Sequence, residues 1–175
     1  MSARCVFAVT VTVTVSVAAA TLASCAPSHP RPASASPTGG FHSGDCNRVT
    51  DDEISRATGS GMFARVVVSD AGCFWQENTM IGSFGEGMGI STWWYRGSDM
   101  DTERRLESRA GRALTEVSVH RNKGFQASDA NACSVYVAKD TDVITWSIQT
   151  LNPGRLPDLC TIMRQLAQLT QDRVN

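Results

Sequence analysis

The sequence predicts an α+β domain: a mostly antiparallel sheet with a short N-terminal helix, a middle helix and a C-terminal helix packed on it. Three observations predict it. Runs rich in β-branched and aromatic residues, broken by short turn signals, recur through residues 64–97 and 114–150. Two helix-capping patterns and one apolar repeat at helical spacing mark three helices among them. Cys46, Cys73, Cys133 and Cys160 are spread over the same stretch, an even number suited to two disulfides.

The first 24 residues do not belong to that domain. "VFAVTVTVTVSVA" alternates as a half-buried strand would, but Arg4 precedes fifteen uncharged residues, 6 to 20, and Leu22, Ala23, Ser24 and Cys25 follow. A charged start, an apolar middle and small residues at the end are the layout of an export signal. As a helix the middle reaches roughly 23 Å, short of the roughly 30 Å hydrocarbon core that a permanent span crosses. Leu-Ala-Ser-Cys resembles the lipobox of bacterial lipoproteins, which implies cleavage before Cys25 and a diacylglyceryl group on its thiol. Two or more acyl chains on one residue hold a protein on a membrane where one does not.

Residues 25–45 read as the lipidated cysteine and a tether. "APSHPRPASASPTGGFHSGD" holds four of the six prolines and almost nothing apolar enough for a core. Twenty flexible residues span about 25 Å. His29 and His42 fall here and read as solvated.

Residues 46–175 form one domain of adequate size for a single core. Fourteen Arg or Lys against sixteen Asp or Glu leave it near neutral, which gives no reason to invoke nucleic acid. Thr50 and Glu53 have capping-box spacing, with Val49 and Ile54 as the hydrophobic staple of a helix from Asp51 to Thr58. Asp51, Asp52 and Glu53 complement its dipole. "ARVVVSD", "CFWQEN" and "GISTWWYRG" are three strands, the last two separated by "MIGSFGEGMG". That loop runs toward a strand and so is not a phosphate cradle, which would feed a helix N-terminus. Ser98 and Asp101 cap a charged, mostly wet helix to Arg112, with Leu106, Ala110 and Ala113 as a thin stripe. "LTEVSVHR" and "FQAS" flank a turn at Asn122 to Gly124. "CSVYVAKDTDVITWSIQT" is a hairpin turning at Asp140 to Asp142. Pro157 begins the last helix, whose Leu159, Ile162, Met163, Leu166 and Leu169 pack on the sheet.

Four cysteines admit three pairings. Cys46 with Cys73 and Cys133 with Cys160 is the favoured one; it closes two equal loops, each contributing about 3.6 kcal/mol in the chain-entropy model. No C-x-x-C and a single domain histidine, His120, argue against a metal, and no cofactor is expected. His120 is also the one candidate for nucleophilic catalysis; G-x-S-x-G is absent, and nothing brings Glu77 and Glu86 together, so no catalytic residue is assigned. Aromatic residues offer the candidate ligand or partner surface: Trp93 and Tyr95 share one side of a strand, Arg96 follows, and Trp75 and Trp146 lie on neighbouring strands. A groove of this kind suits an apolar or amphipathic lipid or glycolipid.

The order Cys46, Cys73-Phe74-Trp75, "WYRGS" with Glu103-Arg104, Cys133 before a hairpin and Cys160 in a C-terminal helix resembles the LprB/LprC-type envelope lipoproteins of mycobacteria and related actinobacteria. That group is of unknown function. The resemblance implies a lipoprotein of the cell envelope, and by analogy a curved antiparallel sheet with helices on one face. The expectation is therefore a non-enzymatic domain held by Cys25 on the extracytoplasmic side of the cell membrane, presented to an envelope protein partner. The alternative is carriage of a lipid or glycolipid.

Overall fold

In the computed structural model, Thr50 opens helix α1 (Asp51–Thr58) with a complete capping box: its hydroxyl accepts from the Glu53 amide while Glu53 accepts from the Thr50 amide. Residues 45–59, 63–78 and 87–174 are described, Arg155 in its backbone alone. The expected export signal 1–24, Cys25, the expected tether up to residue 44 and the glycine loop through residue 86 lie outside the described residues.

Seven strands follow, β1 (Phe63–Val68), β2 (Gly72–Glu77), β3 (Gly89–Tyr95), β4 (Ala113–Val119), β5 (Asn122–Ser128), β6 (Ala132–Lys139) and β7 (Asp142–Gln149). They make one antiparallel, unclosed sheet in the order β1-β2-β3-β7-β6-β5-β4. Two meanders, β1 to β3 and β4 to β7, are joined where β3 pairs with β7 from Gly89↔Gln149 to Tyr95↔Val143. Helix α2 (Met100–Arg109) connects them, and α3 (Leu159–Val174) closes the chain.

Side chains alternate across the sheet, so register decides which of them share a face. On one face Cys73, Trp75, Ile90, Trp146, Ile148, Cys133, Val135 and Val137 are buried with Val49 and Ile54 of the α1 region and Ile162, Met163 and Leu166 of α3. The expected stripe of α3 is thus the stripe that packs, with Leu169 at its margin. On the other face Phe125, Ala127, Tyr136 and Val143 form a smaller cluster joined by Met100 and Leu114. Helix α2 lies there: Arg104 sits over the Phe125 ring at 4.7 Å, and the Tyr136 hydroxyl donates to Glu107. The helices therefore occupy both faces, which corrects the one-face arrangement implied by analogy. α2 has no buried residue, and Leu106 is 54% exposed. Its charged sequence holds it by polar contacts rather than by an apolar stripe.

Three local readings are corrected. Asp99, not Ser98, caps α2, accepting from the Thr102 amide at 2.7 Å; the Ser98 hydroxyl donates to Glu103 instead. Asp158 accepts from the Thr161 amide at 2.7 Å and caps α3, leaving Pro157 outside the helix. The β4–β5 turn falls at His120 and Arg121, with His120 left-handed at φ 57°, and β5 already begins at Asn122. Gly124 is inside that strand because a Cβ there would lie 2.3 Å from the Tyr136 carbonyl oxygen. It is a close-approach glycine, not a turn glycine.

The cysteines join Cys46 to Cys73 and Cys133 to Cys160, each with Cα atoms 5.3 Å apart. Around the first pair, Cys46, Asn47 and Arg48 have φ of 44°, 54° and 60°. Three successive non-glycine residues in left-handed backbone are disfavoured by about 1–2 kcal/mol each. Three attachments hold them. Cys46 is bonded to β2; the buried Asn47 amide donates to Thr92 of β3; Arg48 and Arg173 each donate to the other's backbone carbonyl.

Arg173 also clamps Glu53, its two terminal nitrogens reaching the two carboxylate oxygens at 2.8 and 2.5 Å. That guanidinium, above all other influences, lowers the Glu53 carboxyl to about 2. A depressed carboxylate contributes stability that is fully present above its unfolded value near 4.5 and lost as pH falls through about 2. Urea unfolding at pH 7 and pH 2 is therefore expected to show wild type losing about 1–2 kcal/mol more than Glu53→Gln across that window, after allowance for solvent screening.

Candidate functional site

The five residues expected to form one aromatic surface fall on opposite sides of the sheet. Trp75 and Trp146 are fully buried on the face covered by α1 and α3, stacked with ring centroids 5.8 Å apart. Their indole N–H groups donate to Asp51 and Thr170, at 2.7 and 2.9 Å. Trp75 pairs with Ile90, so it shares the side of Thr92 and Trp94. Trp93 and Tyr95 therefore point the other way, both half-buried, and Arg96 is exposed in the turn after β3. The single aromatic groove is replaced by a filled core on one face and two half-buried rings on the other.

Asp51 does more than complement a helix dipole. It accepts from Trp75 and, through two nitrogens, from Arg65 of β1. Burial works to raise its carboxyl, but those hydrogen bonds outweigh it and hold the group below the usual carboxylate range.

β1 is an edge strand, paired to β2 alone among the described strands. Val66, Val67 and Val68 are 51%, 44% and 48% exposed. Edge strands are ordinarily blunted by charge, proline or a bulge. Here a register shift falls between Arg65 and Val67, but the one charged residue of the strand, Arg65, is drawn onto Asp51 and leaves the three valines unguarded.

Beyond β6, toward Ser147 and Ser91, no described helix covers the sheet face shared with α2. There Phe74, Ser91, Ser147 and Ser134 stand directly opposite one another on β2, β3, β7 and β6. They floor a trough of about 420 Å³. Glycine shapes its wall: a Cβ on Gly89 would meet the Phe74 ring at 3.0 Å, so the ring lies down over the neighbouring strand. Ser147 donates to Ser134 at 2.8 Å, and Arg112 donates to Ser134 at 2.9 Å while paired with Glu107 at 3.1 Å and Asp129 at 3.5 Å. Sequence reasoning missed this site because its signal is small residues on separate strands that only register brings together.

His120 lies in the exposed β4–β5 turn with its ring against the Asp172 carboxylate. The neighbouring Ser118 hydroxyl donates to the backbone carbonyls of His120 and Asn122, not to the His120 ring. Among the described residues no group of three His, Cys, Asp or Glu could hold a metal ion, and no helix is long and apolar enough to cross a membrane.

Together the seven-stranded sheet, its three helices and the two cysteine pairs define a small disulfide-held antiparallel α+β domain. The chain belongs to the family described as protein of unknown function (DUF3558), which matches residues 5–173. It is 24% identical over 129 residues to a protein of Mycobacterium leprae named "Putative lipoprotein LprB", covering 70% of this chain and 66% of the relative. Proteins of the same name in Mycobacterium bovis and Mycobacterium tuberculosis are 24% and 26% identical over 143 and 144 residues, covering 78% of this chain and 75% of each relative. Neither the family description nor these names indicate an enzymatic activity. No solved structure matches the chain.

Proposed function

We propose that the protein is a lipid-anchored lipoprotein of the cell envelope, held through Cys25 on the extracytoplasmic side of the membrane, and that its non-enzymatic domain presents the β1 edge to an envelope protein. Leu22-Ala23-Ser24-Cys25 behind an apolar export signal supports the anchor, as do relatives named as lipoproteins. The observation that carries the docking role is the row of exposed valines on an edge whose outer N–H and C=O groups face no described strand. An extended segment of a partner, adding itself as a further strand, satisfies those groups and buries the valines. The filled aromatic core favours this reading over carriage of a lipid between the layers.

Two measurements test it. A photo-crosslinker at Val67 of the full chain in its native envelope is expected to give one discrete adduct with another protein, abolished by Val68→Lys at unchanged melting temperature. Absence of an adduct, an adduct with a second copy of the chain, or one indifferent to Val68→Lys overturns the docking role. Cys25→Ala is expected to release the processed protein from membranes; continued fractionation of the processed protein with membranes overturns the anchor.

A further inference from the structure

We propose that the trough on the α2 side of the sheet binds a neutral saccharide. This site is separate from the β1 edge and does not depend on it. The strands that floor the trough are inner strands, where bulky side chains and a covering helix are the rule, yet their positions here are Gly89, Ser91, Ser147, Ser134 and Ala132. Helix α2, ten residues and about 15 Å long, packs mainly on β4, β5 and β6, with Met100 beside Val143 and Tyr95, and among the described residues no helix lies over the rows of Ser91 and Ser147. The resulting volume of about 420 Å³ lies within the roughly 300–1,000 Å³ usual for small-molecule sites.

The chemistry of the lining selects among ligands. Three serines stand in line on adjacent strands whose backbones lie about 4.8 Å apart, with the Ser147 and Ser134 hydroxyls drawn together at 2.8 Å. The amides of Gln76 and Gln149 stand on the neighbouring row, paired across Gly89. Among the described residues none bonds to the side chains of Gln76, Ser91 or Gln149. A wholly apolar ligand would strip water from these groups and leave them unpaired, which costs about 1–3 kcal/mol apiece.

An anion is disfavoured for a different reason. Among the described lining residues Arg112 is the one that ionises, and Glu107 and Asp129 pair with it. What remains among the described lining residues is a floor of hydroxyls and amides beside apolar walls supplied by Phe74, Met88 and Leu151. A sugar fits that surface from both sides, its rim of hydroxyls toward the serines and glutamines and its C–H face toward the ring. The same chemistry is offered by a free glycan and by the headgroup of a glycolipid.

The test uses the full chain in detergent, ¹⁵N-labelled, titrated separately with maltotriose, mannotriose and inorganic phosphate. The saccharides are expected to give saturable amide shifts at Phe74, Ser91, Ser134 and Ser147, and phosphate none. Ser91→Leu fills the trough without removing a hydrogen bond to the protein, and is expected to weaken binding at least about tenfold with the rest of the spectrum preserved. A second arm floats Cys25→Ala protein with vesicles of phosphatidylcholine alone or with diglucosyl diacylglycerol. Flotation only with the glycolipid, lost in Ser91→Leu, identifies the headgroup as the source; shifts with free saccharide and no flotation identify a free glycan. Saturation by phosphate, binding indifferent to Ser91→Leu, or silence in both arms overturns the proposal.

Discussion

Reduction of both disulfides, or replacement of all four cysteines by serine, is expected to leave the domain unfolded at 37 °C. Each bond joins residues 27 apart and removes about 3–4 kcal/mol of chain entropy from the unfolded state. Two such losses equal much of the 5–15 kcal/mol by which a typical domain is stable. The single-bond variants separate the two roles. Cys133→Ser with Cys160→Ser detaches the first turn of α3 from β6 and is expected to lower the urea midpoint with little change in slope. Cys46→Ser with Cys73→Ser also frees a turn held in left-handed backbone, so amide exchange at residues 46–49 is expected to rise before the rest of the domain opens.

Trp146→Ala is expected to destabilise the domain by about 3–5 kcal/mol and to lower the melting temperature by roughly 10–20 °C. Trp146 is fully buried on β7, a central strand, stacked on Trp75, and its N–H is the recorded partner of the buried Thr170 hydroxyl in α3. Truncation removes the largest side chain between sheet and helix and leaves that hydroxyl with no donor. Trp146→Phe keeps most of the volume and is expected to lose less than half as much. Differential scanning calorimetry of the three proteins checks both values.

The elements that were legible in the sequence are those whose signal is local. The Thr50–Glu53 box, the hairpin turning at Asp140 and Thr141, and the apolar repeat of α3 each depend on residues within a few positions of one another. Turn signals misled where a residue has a tertiary reason for being there. Gly124 makes room for the Tyr136 carbonyl, and Asn122 donates to Gln171 of α3, yet the pair reads as a turn. The faces were harder still. That Trp93 and Trp94 point apart follows from a period of two, but whether Trp75 lies beside one or the other depends on the pairing of β2 with β3. The serine trough was invisible for the same reason: Ser91 and Ser147 are 56 positions apart and share no pattern until β3 lies on β7.

The left-handed turn at Cys46–Arg48 has a mechanical consequence. Tension arriving along the chain at Asp45 reaches a covalent bond at the next residue and passes directly into β2, with Asn47 leading a share into β3 and Arg48 into the end of α3. Beyond Arg48 the rest of the segment between the bonded cysteines, which carries α1 and β1, is a closed loop shunted out of the line of force. A domain pulled from this end takes the load first at the inner strands β2 and β3, and not through the exposed edge strand.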